Sequence, residues 1–271
     1  MPSFYRALAR AEERAGHGLC VGLDPDPDRL PRPLRGLPAG EGLRRFLEGI
    51  IQSTLPSATA YKCQLASYLA FGLEGLSTLR SVTERLRSER PVILDLKAGD
   101  IPNTMSLYAR GVFGAFGFDA LTVNPFLGWE SVEEIAKDPE RGVFVVAHSS
   151  NPGSKDFQEA ETSRGPLWHG LLERVREEAD RENVGLVVGA TDPSALALAR
   201  RTVGGTVPIL VPGVGAQGGD LETAVRLGRG AGPGTLLVNS SRGILFASEG
   251  EDFASAAGRA AEGLSRQLAG L

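Results

Sequence analysis

Two patterns of apolar and polar residues follow one another along the chain. Eight short runs have the character of strands, and several of them are nearly all apolar, among them VILDL, VFVVAH, GLVVGA and PILVPG. Continuous apolar runs of this length are typical of strands that are buried on both faces, as in a parallel sheet. The predicted strands are 18–23, 58–64, 92–96, 120–123, 143–147, 185–189, 208–211 and 235–238.

The longer segments between these runs have the periodicity of amphipathic helices. In 43–54 the apolar side chains recur at the spacing of one helix face, and they are Leu43, Phe46, Leu47, Ile50 and Ile51. Asp192-Pro193 is typical of a helix start, with an N-cap followed by proline at the first helical position. Helices are predicted at 43–54, 72–89, 166–183, from 192 onward, 221–228 and 252–269.

Eight strand–helix units in a chain of this length indicate a (β/α)₈ barrel, the TIM barrel, which typically needs about 250 residues. An open, doubly wound α/β sheet is the alternative, because periodicity alone does not distinguish the two. No stretch resembles an interdomain linker. Residues 1–271 are therefore interpreted as a single barrel domain.

Composition excludes several classes of function. The 271 residues carry 29 Lys and Arg against 33 Asp and Glu, for a net charge of −4, which argues against nucleic-acid binding by bulk positive charge. No run of ~18 apolar residues predicts a membrane span, and the N-terminus lacks the apolar core of a signal peptide. Cys20 and Cys63 lie inside apolar runs, so we expect two buried thiols. A cytoplasmic protein without nucleic-acid or membrane partners is expected.

Polar side chains cluster at the carboxyl ends of the predicted strands, where barrel enzymes have their active sites. The densest cluster is LDLKAGDIPNT, 94–104, in which Asp95 and Lys97 are two residues apart and so point to the same face of a strand. Burying two charged side chains there costs free energy unless they form an ion pair or take part in the function. The pair is either a structural salt bridge or a proton-transferring lysine that flanking carboxylates keep charged.

Two glycine-rich segments follow the last two predicted strands. VPGVGAQGGD, 211–220, precedes a helix start, and VNSSRGI, 238–244, contains Arg242. Backbone N–H groups in such loops and at helix starts bind anions. Phosphate sites after strands seven and eight recur in barrels, so the two segments together predict a phosphate site.

A long polar segment, 149–165, follows the fifth predicted strand and contains Asn-Pro-Gly. Long loops in compact domains are often lids, and the alternative is a surface loop without a role. His148, just before it, is interpreted as a hydrogen-bonded neighbour of the site. His17 is expected at the surface before the first strand.

Together these residues resemble the orotidine 5′-phosphate decarboxylase family. The string D-x-K-x-x-D-I-x-N-T runs from Asp95 to Thr104, and the SNPG, PGVGAQGGD and VNSSRGI segments are similar to the second major subgroup of that family. That subgroup often has K-R-G-D-I-G where this chain has KAGDIP. The ionisable residues are unchanged, and the resemblance extends over 22–243.

The resemblance implies a homodimeric barrel that converts orotidine 5′-monophosphate to UMP and CO₂, the last step of de novo pyrimidine biosynthesis. It implies no metal and no organic cofactor. By the same resemblance Lys97 would donate a proton to C6 of the pyrimidine, Asp95 would lie beside the departing carboxylate, and Asp100 would reach into the partner's site.

Substrate-binding positions are also implied by the resemblance. Asp24 and Lys62 would bind the ribose, Ser150 the pyrimidine ring, and Gln217 and Arg242 the phosphate. The full implied set is Asp24, Lys62, Ile101, Thr104, Ser150, Pro212, Gln217, Gly218, Ser241 and Arg242.

Two other functions remain open from the sequence. A Mg²⁺-dependent sugar-phosphate decarboxylase or aldolase of the same superfamily shares the D-x-K-x-x-D string, although the SNPG and QGGD segments favour the nucleotide. A non-catalytic phosphate sensor on a barrel predicts loss of Asp95, Lys97 and Asp100, and all three are present. No set of His, Cys and carboxylates has convincing metal-ligand spacing.

Overall fold

Eight parallel strands close into a barrel in the computed structural model, which describes residues 3–214 and 219–271. Each strand pairs with the next along the chain, and the last strand pairs back onto the first through Leu19↔Val238 and Val21↔Ser240. The strands are β1 Leu19–Gly22, β2 Ala60–Gln64, β3 Val92–Ala98, β4 Ala120–Val123, β5 Gly142–His148, β6 Val184–Val188, β7 Ile209–Pro212 and β8 Leu236–Ser240.

The eight predicted strands are all present, and their ends agree with the prediction to within two residues. Their continuous apolar runs are explained by burial on both faces, towards the barrel interior and towards the surrounding helices. The pairing of β1 with β8 excludes the open sheet. The prediction of a TIM barrel is confirmed.

Helices accompany the strands, and most of them cover the outer face of the barrel. They are α1 Phe4–Ala15, α2 Ala39–Thr54, α3 Leu65–Leu69, α4 Gly72–Leu86, α5 Pro102–Ala109, α6 Glu130–Ala136, α7 Ser154–Phe157, α8 Leu167–Glu177, α9 Pro193–Val203, α10 Leu221–Gly228, α11 Arg242–Leu245 and α12 Phe253–Ala269. Among residues 3–214 and 219–271, none of the helices has the length and apolar character needed to cross a bilayer.

Helix starts follow the predicted capping chemistry. Asp192 is the N-cap of α9, and its Oδ1 accepts hydrogen bonds from the backbone N–H groups of Ser194 and Ala195 at 2.9 and 3.1 Å. These bonds satisfy donors that a helix leaves without an internal partner. The prediction of a helix over 166–183 is wrong at its end. Val175 is the last buried residue of α8, and a single 3-10 turn, Ala179–Arg181, follows in place of further α-helix.

The amino-terminal helix α1 closes the bottom of the barrel, which the sequence analysis did not predict. Phe4 and Tyr5 pack edge-to-face against Phe144 inside the barrel, with ring centroids 6.0 and 5.7 Å apart. The Tyr5 hydroxyl donates to the Val143 carbonyl at 3.0 Å. The expectation of a surface His17 is wrong, because its side chain is buried and Nδ1 accepts from the Leu19 N–H at 3.3 Å.

The polar segment 149–165 has its own secondary structure. It contains α7 and a small hairpin of Glu161–Thr162 with Gly165–Pro166. The side chain of Gln158 bonds back to Ser149, whose N–H donates to Gln158 Oε1 at 2.9 Å. The segment is thus fastened to the end of β5 beside the barrel mouth.

Candidate active site

The barrel interior is built in two layers of opposite polarity. The lower layer is apolar and includes Cys20, Ala60, Ile93, Ala120, Phe144, Leu210 and Leu237. Two residues further along the same strands, towards their carboxyl ends, four polar side chains replace the apolar ones, and these are Lys62, Asp95, Thr122 and Asn239. Because side chains on one face of a strand recur every second residue, the polar layer lies directly above the apolar layer. A polar cavity therefore opens at the carboxyl-terminal mouth.

Four charged side chains form a row of alternating sign in this cavity. The ammonium Nζ of Lys62 lies 3.6 Å from Oδ2 of Asp24 and 3.1 Å from Oδ2 of Asp95. The other oxygen of Asp95, Oδ1, lies 2.6 Å from Nζ of Lys97. Lys62 is buried, whereas the Lys97 side chain is 45% exposed and faces the open cavity. Both ammonium groups line the cavity, and that of Lys97 at the end of the row is the more exposed of the two.

Burial and the neighbouring charges act in opposite directions on the pKa values of this row. Burial alone would lower the pKa of Lys62, but the carboxylates of Asp24 and Asp95 outweigh it and raise that pKa. Burial alone would raise the pKa of Asp95, but the ammonium groups of Lys62 and Lys97 lower it to about 2. Asp95 and Lys62 are both charged at neutral pH, so the cavity presents fixed charges.

Asp24 is held at the top of β1 by contacts from β2 and from the segment after β8. Its Oδ1 accepts from the Gln64 N–H at 2.9 Å, and its Oδ2 accepts from the Ser241 hydroxyl at 2.6 Å. The Asn239 side chain in turn donates to the Ser241 hydroxyl at 3.3 Å. The segment after β8 is therefore tied to the charged row through Asp24.

A cavity of about 650 Å³ contains most of the residues that the sequence resemblance assigns to the site. This volume is in the range of pockets for small-molecule ligands. The assigned residues that line it come from six different strands or the segments that follow them, and they are Asp24, Lys62, Asp95, Lys97, Ser150, Pro212, Ser241 and Arg242.

Three assigned residues do not line this cavity. Asp100, Ile101 and Thr104 lie at the start of α5, on the rim outside β3. Within residues 3–214 and 219–271 the Asp100 carboxylate forms no ion pair, and it accepts only the N–H of Ile101 at 2.8 Å. Gln217 and Gly218 lie outside the described residues.

His148 is turned away from the cavity. The pairing of β5 with β6 shifts register between Val146 and His148. The imidazole therefore does not continue the row of side chains, Phe144 and Val146, that point into the barrel. Its Nε2 lies 3.2 Å from Oε1 of Glu159, and its ring packs on Trp168 at a centroid distance of 4.9 Å. His148 thus joins β5 to the segment 149–165 and does not reach the charged row.

Known proteins are similar to this chain over most of its length. The model of the orotidine 5′-phosphate decarboxylase / HUMPS family matches residues 17–257. The chain belongs to this family. It is 46% identical to the orotidine 5′-phosphate decarboxylase of Thermomicrobium roseum over 90% of this chain and 86% of the relative. It is 44% identical to that of Roseiflexus castenholzii over 97% and 96%.

A solved structure supports the same assignment. The OMP decarboxylase of Leishmania donovani superposes with a TM-score of 0.83 at 32% identity, over 100% of both chains. The closed barrel of this chain is therefore the fold of an orotidine 5′-phosphate decarboxylase along its whole length.

The sequence analysis did not predict two polar residues of the site. Thr122 lies within the apolar run ALTV of β4, and Asn239 lies within β8. Both line the cavity, and Asn239 Oδ1 is buried without a hydrogen-bond partner among the described residues. The two-residue period of a strand could have identified them. Thr122 lies two residues after Ala120 and Asn239 two residues after Leu237, and both of these apolar residues belong to the lower layer.

Gly22 makes possible the close approach of β1 to the segment after β8. A Cβ atom at this position would lie 1.8 Å from Oγ of Ser241. We expect Gly22→Ala to lower the free energy of unfolding by about 1–3 kcal/mol, since the strand or the serine must move. Urea denaturation measures the change. Gly263→Ala on α12, where a Cβ meets nothing within 4 Å, is the control and leaves stability unchanged or raised. Equal stability of both variants would contradict this prediction.

Proposed function

We propose that this chain decarboxylates orotidine 5′-monophosphate to UMP and CO₂ in the cavity at the barrel mouth, with Lys97 as the proton donor. The observation that carries the proposal is the row Asp24, Lys62, Asp95 and Lys97, which ends at a cavity-facing ammonium. Family membership supports the reaction, and the row supports the assignment of roles.

Lys97 acts both while the bond between C6 of the pyrimidine and its carboxylate breaks and after it has broken. The electron pair of that bond stays on C6 as CO₂ leaves. An ammonium held beside C6 stabilises the developing negative charge and then supplies the proton that forms the C6–H bond. Lys97 is left neutral and regains a proton from water. Its contact with Asp95 at 2.6 Å fixes the position of the ammonium before the reaction.

Asp95 has a second effect on the substrate. It is ionised, because its pKa is lowered to about 2 by Lys62 and Lys97 against the opposing effect of burial. A substrate carboxylate next to it is repelled, and this repulsion falls as the charge disperses towards C6 in the transition state. The apolar side chains of Val146, Val187 and Leu210 line the same cavity and form an apolar surface for the departing CO₂.

The rest of the cavity binds the nucleotide. Asp24 and Lys62 are proposed to bind the ribose hydroxyls, and Ser150 to contact the pyrimidine ring. Arg242 and the backbone near Pro212 and Ser241 would bind the phosphate, as would Gln217 and Gly218, which lie outside the described residues. Phosphate binding far from C6 can lower the barrier by fixing the substrate geometry.

We also propose that the active enzyme is a homodimer with shared sites. The helix α5, the residue before it and the neighbouring α3 present apolar side chains to solvent, with Leu69, Ile101 and Leu107 each more than half exposed. Leu69, Thr104 and Leu107 line one open apolar groove of about 380 Å³. Exposed apolar patches mark interaction surfaces. A second copy covering this face would bring its Asp100, which is unpaired within the described chain, to the mouth of the first.

The proposal also includes the domain organisation and the cellular location of the protein. The chain is proposed to form one barrel domain over residues 1–271, which the succession of strands and helices across the described residues supports. It is proposed to work in the cytoplasm, where its product UMP is used for nucleotide synthesis.

The proposed reaction is tested by following the ultraviolet absorbance of orotidine 5′-monophosphate after addition of the purified protein in excess EDTA. We expect the absorbance to fall and UMP to accumulate, because every proposed role belongs to a side chain or a backbone group. No decay with folded protein would contradict the proposal. Turnover of a sugar phosphate that requires added Mg²⁺ would instead support the alternative enzyme class.

A further inference from the structure

The strand that carries the charged row departs from regular pairing at the site. Leu94 of β3 pairs with Leu121 of β4, but the next pair is Ala98 with Val123. Three residues of β3, 95 to 97, therefore face the single residue Thr122. Such bulges re-aim side chains next to active sites.

The bulge places Lys97 in an unusual backbone conformation. Its φ is +52°, in the left-handed region that residues with a Cβ rarely adopt. Among the described residues, Glu182 is the other non-glycine residue with positive φ. Strain of this kind persists only where surrounding contacts determine the conformation, and it clusters at functional sites.

The hydroxyl of Thr122 contacts all three residues of the bulge. Its Oγ1 accepts from the N–H groups of Leu96 and Lys97 at 3.1 and 2.8 Å, and it donates to Oδ1 of Asp95 at 3.0 Å. That carboxylate oxygen is the one that lies 2.6 Å from Nζ of Lys97. Thr122 therefore touches the backbone of the lysine and the carboxylate that holds its ammonium.

The direction of these bonds follows from the atoms available. A hydroxyl has one proton and two acceptor lone pairs. The two backbone N–H groups occupy the lone pairs, so the proton points to Asp95. Thr122 is 1% exposed, and its branched Cβ restricts rotation of the hydroxyl.

We propose that Thr122 is a positioning residue for the decarboxylation, whose hydroxyl holds the bulge that aims Lys97 and Asp95 at the reacting carbon. This inference rests on the proposed function. Because proton transfer and charge stabilisation depend steeply on geometry, removal of the hydroxyl slows turnover. We expect nucleotide binding to be unaffected, because Asp24, Asn239 and Ser241 are joined by hydrogen bonds in which Thr122 takes no part.

Two substitutions separate the hydroxyl from the shape of the side chain. Thr122→Val keeps the shape and removes the hydroxyl, and we expect kcat to fall about 10²-fold, as for a misplaced catalytic group. Thr122→Ser keeps the hydroxyl and retains most of the wild-type kcat. In both variants KM and the affinity for UMP, measured by calorimetry, stay near the wild-type values. If Thr122→Val does not fold, Thr122→Ala carries the same expectation.

Thr235→Val is the matched control. Thr235 is also a buried threonine, before the start of β8 at the opposite end of the barrel, and its hydroxyl accepts from Gly230 N–H at 3.1 Å and donates to the Gly232 carbonyl at 2.6 Å. Its loss lowers thermal stability and leaves kcat unchanged.

Each outcome of this experiment is decisive. A normal kcat in folded Thr122→Val, or an equal loss of kcat in Thr122→Ser, overturns the positioning role. A loss of UMP affinity as large as the loss of kcat/KM also overturns it, because the site as a whole would then have changed. A wild-type protein without decarboxylase activity overturns the proposed function itself, and that result is distinguishable from failure of Thr122 alone.

Discussion

Lys97→Ala is expected to lower kcat/KM for orotidine 5′-monophosphate by about 10⁴-fold or more. Loss of the ammonium removes both electrostatic stabilisation at C6 and the proton donor, and each of these contributes at least about 10²-fold. The product of these two factors gives the expected loss of about 10⁴-fold. Initial rates from the ultraviolet assay, at enzyme concentrations raised to detect slow turnover, give the ratio.

The fold of this variant is expected to be intact. The Lys97 side chain is 45% exposed, and Asp95 keeps the contacts of its carboxylate with Lys62 and Thr122. Circular dichroism and calorimetric binding of UMP establish this. Lys137→Ala, which removes a lysine 68% exposed on the outer surface, is the matched control and should have wild-type activity. Near-normal turnover in Lys97→Ala would remove the lysine from its proposed role.

Mixtures of two inactive variants are expected to recover activity. In the proposed shared site, Asp95 and Lys97 come from one chain and Asp100 comes from its partner. Asp95→Asn disables the first contribution, and Asp100→Ala disables the second. Random exchange between equal amounts makes half of the dimers mixed, and each mixed dimer has one intact site. Activity should therefore reach about a quarter of the wild-type value, from the statistics of a two-fold assembly.

The controls for this experiment address exchange and folding. Each variant alone must be inactive and folded, and subunit exchange must be demonstrated with differently tagged chains. A mixture of Asp100→Ala with Lys97→Ala should recover in the same way, since Lys97 and Asp95 belong to one chain. A mixture of Asp95→Asn with Lys97→Ala should stay inactive, because both changes disable the same half-site. Absence of recovery despite exchange would refute the shared site.

The order of strands and helices was predictable because it depends on local patterns. Apolar runs buried on both faces identified all eight strands, and the capping sequence at Asp192 identified the start of α9. Barrel closure was not decided by periodicity, because it depends on pairing of β1 with β8, more than 200 residues apart along the chain. The closure of the barrel by α1 was missed for the same reason, since its apolar face is recognised only against Phe144.

The charged residues of the site were predictable from their spacing, but their neighbours were not. Asp95 and Lys97 stood out as charges in an apolar strand. Thr122 did not, because a threonine is an ordinary strand residue and gains its importance from three residues of β3 that face it across the bulge. His148 is the converse case, a polar residue near the site that a register shift turns away.

The sequence by itself determined the alternation of strands and helices, the chemical groups available at the strand ends and the family to which they point. These properties follow from side-chain periodicity and from residue types, which are local. Only the tertiary structure decided which groups meet. Hydrogen bonds and ion pairs act over a few ångströms, and the distances between Asp24, Lys62, Asp95, Lys97 and Thr122 are set by barrel closure and by one bulge between β3 and β4.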